Sequence, residues 1–446
     1  MRPRPYGCWA LGERASAAVQ RKAAVCLPFI LTRGLLWFLP EQSRTNGRDT
    51  RVPEALQCKQ FELANTPMKS ELYLGLDVDK EWIVMAVAQW GRNGAVQDLG
   101  AISNDLHALE KLLARLRKRY GPDVIIRACY EAGPCGFTIA RRLRQLGVEC
   151  AVVAPSLTPT RAGDRLKSDK RDARKLARLL RAGELTEIYI PEPTDEAIRD
   201  LCRARSDAVD DRRRSRHRLK AFLLRHGYRY QGKSAWSAAH ERYLRELVLP
   251  HPAMKVILEE YLISVQLASE RIARCEAAMS DLLGKWRLEP AVRALMAMKG
   301  FQTVAAMIVV SELGALDRFT HPRQVMAYLG LVPSEKSSSD RRRQGAITKC
   351  GNAHARWLLV ECAQHYAAPP KVSKELSRRQ QNQSRAVRTL SWKAQNRLHQ
   401  RYCRLMARRL QRNKAMVAVA RELCGFIWEL LRTQECYHAP CPSGIK

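Results

Sequence analysis

"ELYLGLDVDKEWIVMAVAQWGRNGAVQDLGAI", residues 71–102, carries the reading on which the fold turns. "ELYLGLDV" and "EWIVMAVAQW" alternate or run apolar in short pieces, and a weaker piece, "AVQDLGAI", follows the turn signal of Arg92, Asn93 and Gly94. These are three hairpin-connected strands. Working outward from them, Ser103 caps a helix with Leu106, Leu109, Leu113 and Leu116 on one face, and "DVIIRACYEA" follows as a buried strand. Pro134 opens a second helix through Leu146, "ECAVVAP" is a fifth strand, and "RLKSDKRDARKLARLL", residues 165–180, is the next helix.

Three antiparallel strands followed by alternating helix and strand is the element order of the ribonuclease H fold. Fold alone does not give function. Pro191 and Pro193 close this unit, and residues 195–228 read as a long arginine-rich helix. Beyond a loop around Gly232, Met254, Leu258, Tyr261, Val265, Ala268, Ile272, Cys275, Met279 and Leu282 step alternately by four and three, a heptad seam. A seam does not name its partner, so a hairpin folded on itself and a dimerising coiled coil both stay open. From Pro290, "ALMAMKGFQTVAAMIVVSELGALDRF" has helix, glycine turn, helix character of the kind that presents backbone N–H groups to phosphate. Gln302 stands where such hairpins have a second glycine, and a plain core hairpin is the other reading. A loop rich in Ser, Arg and Gly follows, then "ARWLLVECA" as a helix and a basic helical tail to about Leu431. The expected class is thus α/β plus all-α. Residues 68–192 form the ribonuclease-H-like domain, 193–286 a helical or coiled-coil region, 287–432 a mainly helical domain, and 433–446 a tail. Residues 1–67 contain "VCLPFILTRGLLWFLP", whose Arg33 and prolines interrupt any spanning helix. Because "MKSELYLGLDV" at Met68 reads as a protein start, this segment is read as an over-extended frame or disordered extension, with a genuine targeting or accessory segment as the alternative.

The 446 residues carry a net charge of +33 and are 46% apolar, so the chain is globular yet basic throughout, and nucleic acid is the leading partner. Its fourteen cysteines show no C-x-x-C pair and no zinc spacing, which reads as reduced thiols in a cytoplasmic protein and excludes a zinc finger. No segment beyond residue 67 is expected to cross a membrane.

On the helix of residues 169–180, Ala173, Leu176, Leu179 and Leu180 form the apolar face, and Asp169 and Asp172 lie on its N-terminal continuation. In the ribonuclease H order, Asp77 on the first strand and Glu131 ending the fourth would meet them at one end of the sheet. Four such carboxylates repel one another unless cations sit among them, and hard Mg2+ or Mn2+ prefers carboxylate oxygen. Lys167, Lys170, Arg171, Arg174 and Lys175 flank them and would meet nucleic-acid backbone. A D-x-x-D pair alone is common on solvated helices, so the four together carry the reading. Asp79 shares a strand face with Asp77 and is either an extra ligand or a solvated turn residue. A second candidate is the run Ser337, Ser338 and Ser339, bracketed by Pro333 and by Arg341, Arg342 and Arg343, with Lys349 downstream. A free serine needs activation to act as a nucleophile; composition favours an ordinary phosphate-contacting loop. No P-loop, G-x-S-x-G or H-E-x-x-H motif is present.

From Met68 to about Leu431 the chain resembles the transposases of bacterial insertion sequences of the one-ten family, the bridge-RNA-guided DEDD recombinases. The resemblance rests on "YLGLDVDK", "YEAGPCG", "LKSDKRDARKLARLLRAGEL", "RLKAFLLRHG", "YLGLVPSEKSSSDRRRQGAITKCGNAHAR" and "RELCGFIW", in the family's order. It implies a RuvC-like N-terminal domain, a coiled-coil middle and a C-terminal transposase domain. It also implies a metal-binding tetrad of Asp77, Glu131, Asp169 and Asp172, and a nucleophilic serine that falls on Ser338, with Ser337 as runner-up. The chain departs from the family at Ser339, where glycine is usual. The implied partners are DNA, a structured guide RNA encoded by the element, and further copies of the chain in a dimer or tetramer, in the cytoplasm at the nucleoid. The alternatives are a junction-resolving nuclease that activates water and a non-catalytic nucleic-acid-binding remnant.

Overall fold

The computed structural model describes residues 71–91, 93–159, 168–338 and 341–433, without the side chains of 336–342. The expected extension at 1–67, most of the tail, Lys167 and Ser339 lie outside the described residues. Glu71–Val78 (β1), Trp82–Gln89 (β2) and Val96–Ser103 (β3) form the three antiparallel strands. Leu106–Tyr120 (α1), Ile125–Glu131 (β4), Thr138–Gln145 (α2), Glu149–Val153 (β5) and Asp169–Ala182 (α3) follow. The sheet order is β3-β2-β1-β4-β5, with β1, β4 and β5 mutually parallel, a mixed sheet in the order expected from the sequence.

Strand alternation gives this sheet two apolar faces. Leu72, Leu74 and Leu76 of β1 join Leu109, Leu113 and Leu116 of α1 and Ile139 and Leu143 of α2 in one core. Burying each such leucine contributes about 1.5–3 kcal/mol. The other face packs on α3. Two helix starts differ from expectation. Ser103 is still paired with Trp82 as the last residue of β3, so Asp105 caps α1 instead, accepting from the Ala108 N–H at 2.8 Å. Residues 134–137 form a turn, held by the Tyr130 hydroxyl donating to the Gly136 carbonyl at 2.8 Å, and α2 begins only at Thr138.

Pro193–Arg225 (α4), Ala238–Glu246 (α5) and Pro252–Leu283 (α6) come next. α4 and α6 run antiparallel against each other: Arg205 pairs with Glu276 at 2.6 Å, Arg271 with Asp211 at 2.9 Å, and Phe222 packs on Tyr261. The seam residues Leu258, Val265, Ala268, Ile272 and Met279 are buried in this way within one chain. At the C-terminal end Leu283 is buried and Leu282 is exposed, because a 3.6-residue helix drifts from a 3.5-residue pattern.

The remaining elements are Glu289–Met296 (α7), Thr303–Leu313 (α8), Pro322–Tyr328 (α9), Pro333–Ser338 (β6), Arg341–Ile347 (β7), Ala353–Ala363 (α10), Lys374–Gln380 (α11), Arg385–Ala407 (α12) and Arg412–Arg432 (α13). The segment read as a Ser/Arg/Gly loop is therefore a two-stranded antiparallel ribbon, β6–β7. Its residues Glu335, Gln344, Gly345 and Ala346 are exposed while Ile347 packs partly against the core, so its described side chains write no alternating pattern into the sequence. α13, read as part of a basic tail, is central to the core: Met416, Val419, Ala420, Leu423, Ile427 and Leu430 are fully buried at helical spacing. Among the described residues no helix is long and apolar enough to cross a membrane.

Candidate active site

The approach of α3 to β1 is set by one missing side chain. A Cβ on Gly75 would lie 2.2 Å from the Ala173 carbonyl oxygen and 2.5 Å from the Ala177 nitrogen, so only glycine lets the helix backbone rest on the strand. Ala173 and Ala177 are themselves fully buried. The direction of α3 follows from its ends. Arg181, in its last turn, donates to the carbonyls of Gln89 and Gly94 at the β2–β3 turn, beside the start of β1. The helix stops at Gly183, which is left-handed at φ 69°. α3 thus runs antiparallel to β1, and its first turn, with Asp169 and Asp172, lies at the C-terminal ends of β1 and β4.

The two strand carboxylates end at that same edge. Asp77 is two residues beyond Gly75 and shares its α3-facing side. Glu131 is two residues beyond Cys129, whose thiol is 3.6 Å from the Leu176 carbonyl on α3, so it too is on that side. The last registered pair of β1 and β4 is Leu76 with Tyr130, which makes Asp77 and Glu131 the next neighbours across the strands. Asp77 and Asp172 are half-buried, and Glu131 and Asp169 are exposed. The helix N-terminus favours ionised carboxylates in its first turn. The four donors are hard oxygens suited in type to a divalent magnesium-like ion, although among the described residues no three His, Cys, Asp or Glu side chains converge to metal-holding distance. Asp79 sits exposed in the β1–β2 turn, its carbonyl accepting from Asn104 at 2.7 Å.

Of the flanking bases, Lys170 and Arg171 are exposed and Lys175 is half-buried. Arg174 forms an ion pair with Asp98 of β3, whose carboxyl it holds below its ordinary range.

Ser337 and Ser338 lie elsewhere, on the β6–β7 ribbon. Ser338 ends β6 opposite Arg341, and Ser337 is opposite Arg342. Arg343 is exposed, and Lys349 is exposed in a left-handed conformation at φ 57°. The base of the ribbon is closed tightly. Thr348 donates to Val332 at 2.8 Å and Lys349 to Gly330 at 3.1 Å, and a Cβ on Gly330 or Gly351 would meet backbone oxygen at 2.2 or 2.0 Å.

Sequence reading missed the group that anchors this base. Glu312, buried near the end of α8, accepts from Arg203 of α4 through two bonds of 2.8 and 2.9 Å and from Asn352 at 2.7 Å. His354 lies 3.2 Å away on the same carboxylate and reaches the Ser206 hydroxyl at 2.9 Å with its other nitrogen. Burial alone would raise the carboxyl pKa, but the bonds from His354, Arg203 and Asn352 outweigh it and hold it at about 2. A visible signal existed: Glu312 is the single acid in the apolar run "TVAAMIVVSEL" of α8, and a buried acid needs partners.

Comparison with known proteins bears on both halves of this arrangement. Residues 74–227 match the DEDD_Tnp_IS110 family model, described as transposase. Residues 292–378 match the model described as Transposase IS116/IS110/IS902 family. The chain is 41% identical over 362 residues to a Sinorhizobium fredii protein named as transposase y4qE, covering 81% of this chain and 89% of that one. It is 27% identical over 349 residues to the transposase for insertion sequence element IS1533 of Leptospira borgpetersenii, covering 77% and 99%. With the transposase for insertion sequence element IS1328 of Yersinia enterocolitica it shares 25% identity over 282 residues, covering 60% and 82%.

Proposed function

The chain belongs to the IS116/IS110/IS902 transposase family, and from that premise we propose that it cleaves and rejoins DNA strands with a serine nucleophile and a carboxylate-held metal, guided by a structured RNA of its own element. The observation that carries this reading is the meeting of the β1 and β4 ends, bearing Asp77 and Glu131, with the first turn of α3, bearing Asp169 and Asp172, on one face of the sheet.

Asp77, Glu131, Asp169 and Asp172 would hold Mg2+ or Mn2+, which when bound supplies positive charge against a phosphodiester and lowers the pKa of an attacking or leaving oxygen. The Ser338 hydroxyl attacks phosphorus, losing its proton; the P–O bond to one deoxyribose breaks and that oxygen takes up a proton. A phosphoserine diester then conserves the bond for strand exchange. Arg341, Arg342, Arg343 and Lys349 hold the backbone beside the ribbon, and Lys167, Lys170, Arg171 and Lys175 hold it beside α3. The tight glycine-closed base of the ribbon supports this role, since a nucleophile needs a fixed mount. Ser337 is the next candidate if Ser338 is not the attacking group, and Ser339 stands where the family usually has glycine. The chain acts as an oligomer, and the RNA supplies target choice by base pairing.

The test incubates the full chain with RNA from the flanks of its element, magnesium, and labelled donor and target DNA, followed by denaturing electrophoresis and mapping of any protein–DNA adduct. An adduct at Ser338 that disappears in Ser338→Ala, with DNA binding unchanged, is the expected result. Cleavage without an adduct would replace the serine reading with activated water, and activity equal to wild type in Ser338→Ala would sink the assignment. Asp169→Asn is expected to remove metal-dependent cleavage.

A further inference from the structure

The turn between α7 and α8 forms one wall of a cavity of about 890 Å³ that none of the serine or carboxylate chemistry uses. Its apolar floor is made by Val304, Ala305 and Ile308 of α8, and its mouth carries Trp357 of α10, an indole 55% exposed to water. Gly300, at φ 90°, brings the turn against α10 so closely that a Cβ would lie 2.9 Å from the Cys362 carbonyl. The depth is therefore a property of the backbone rather than of a mobile side chain.

The polar lining has one sign. Arg205, Lys299, His365, Lys371 and Arg379 line the cavity against a single carboxylate, Glu375. Arg205 is paired with Glu276, and Arg379 is spent on the Phe301 carbonyl and Glu375. Lys299 and Lys371 form no ion pair among the described residues. The Lys299 ammonium is held by the carbonyls of Ala368 at 3.2 Å and Pro369 at 2.9 Å, so it is fixed in place while its charge stays uncompensated, and burial lowers its pKa. Lys371 is exposed on the rim. An anion at this rim would supply the missing countercharge.

An open indole, an apolar recess of drug-molecule size and two uncompensated cations together match the parts of one nucleotide: a flat base and a phosphate. A duplex presents its bases stacked and offers only backbone to such a recess, whereas a single strand can place a base inside it. We propose that this cavity seats one unstacked nucleotide of single-stranded DNA, with its base on Trp357 over the α8 floor and its phosphate at Lys299 and Lys371. Strand exchange exposes such strands, so the pocket would hold one strand while its partner is cut. It rests on the chain acting on DNA but not on which group attacks the phosphodiester.

The measurement uses the full chain carrying Ser338→Ala, with EDTA present, so neither the nucleophile nor the metal enters. A short single-stranded DNA containing one 2-aminopurine is titrated, with fluorescence reporting stacking and anisotropy reporting affinity. The expected result is quenching that is lost in Trp357→Leu and largely kept in Trp357→Phe, with affinity falling about tenfold in the leucine variant. Lys371→Gln should weaken binding several-fold and lower the slope of log affinity against log salt by about 0.7. Thermal melts of each variant that coincide with the parent exclude loss by unfolding. Quenching and affinity unchanged in both Trp357→Leu and Lys371→Gln overturn the proposal. Losses confined to an RNA strand of the same sequence overturn the DNA assignment and give the pocket to RNA.

Discussion

Single atoms decide the geometry at two positions. Gly75 has no room for a methyl group because the obstacle is backbone of α3, which cannot rotate away. Gly75→Ala is expected to cost roughly 2–3 kcal/mol and to push the first turn of α3 away from Asp77. Magnesium-dependent cleavage should fall more than DNA affinity; a melt and a cleavage rate both equal to wild type would refute this. Glu312 is the second position. Its carboxyl sits at about 2 in the folded chain against an ordinary 4.5, so its stabilisation is complete above about 4.5 and is lost as pH falls toward about 2. Near neutral pH the contribution is on the order of 3 kcal/mol, an upper figure because its partner Arg203 is half exposed. Glu312→Gln should lower stability by about 2–3 kcal/mol at pH 7 and flatten the acid limb of a urea-midpoint profile between pH 4.5 and 2. Identical midpoints at pH 7 would remove Glu312 as the anchor of the ribbon.

At the scale of elements, the α4–α6 hairpin consumes the heptad seam inside one chain, yet α6 keeps a second apolar line. Val256, Ile263 and Leu267, at spacings of seven and four, are each half or more exposed. Helix faces of this kind are unusual on a monomer, and they support the oligomer proposed above, with another copy of α6 as the natural cover. Ile263→Glu combined with Leu267→Glu should shift the protein toward monomer in light scattering while leaving its helical circular dichroism unchanged; an unaltered mass would place the interface elsewhere. By contrast, Ile272→Ala, within the consumed seam, should cost about 2–4 kcal/mol without altering the mass. The β6–β7 ribbon teaches the converse lesson. Its strands are paired in register above a glycine-closed base while Glu335, Gln344 and Ala346 stay exposed, so the hydrophobic pattern of "PSEKSS" and "RRRQGAI" did not announce them.

Over the whole molecule the net charge of +33 acts as a field rather than as a set of contacts. DNA binding should weaken steeply with salt, by about 0.9 in log–log slope for each duplex phosphate neutralised. A slope near zero between about 50 and 200 mM salt would contradict a charge-driven interface. The sequence by itself determined the strand order of the sheet, the helical character of the second half, and the family, because alternation, heptad spacing and long ordered motifs are written in local residue choice. It also offered Asp77, Glu131, Asp169 and Asp172 as candidate carboxylates; the approach of α3 that puts its first turn at the ends of β1 and β4 is tertiary, set by backbone contact at Gly75. Only the tertiary structure decided what covers the seam of α6, that Ser337 and Ser338 stand on a ribbon, that "RELCGFIW" belongs to a buried helix, and that Arg203, Glu312, Asn352 and His354 form one network. The Glu312 network and the cover of the α6 seam depend on partners brought from about 40 to 150 residues away, and no local pattern encodes which distant group will neutralise a buried charge or close over an apolar face.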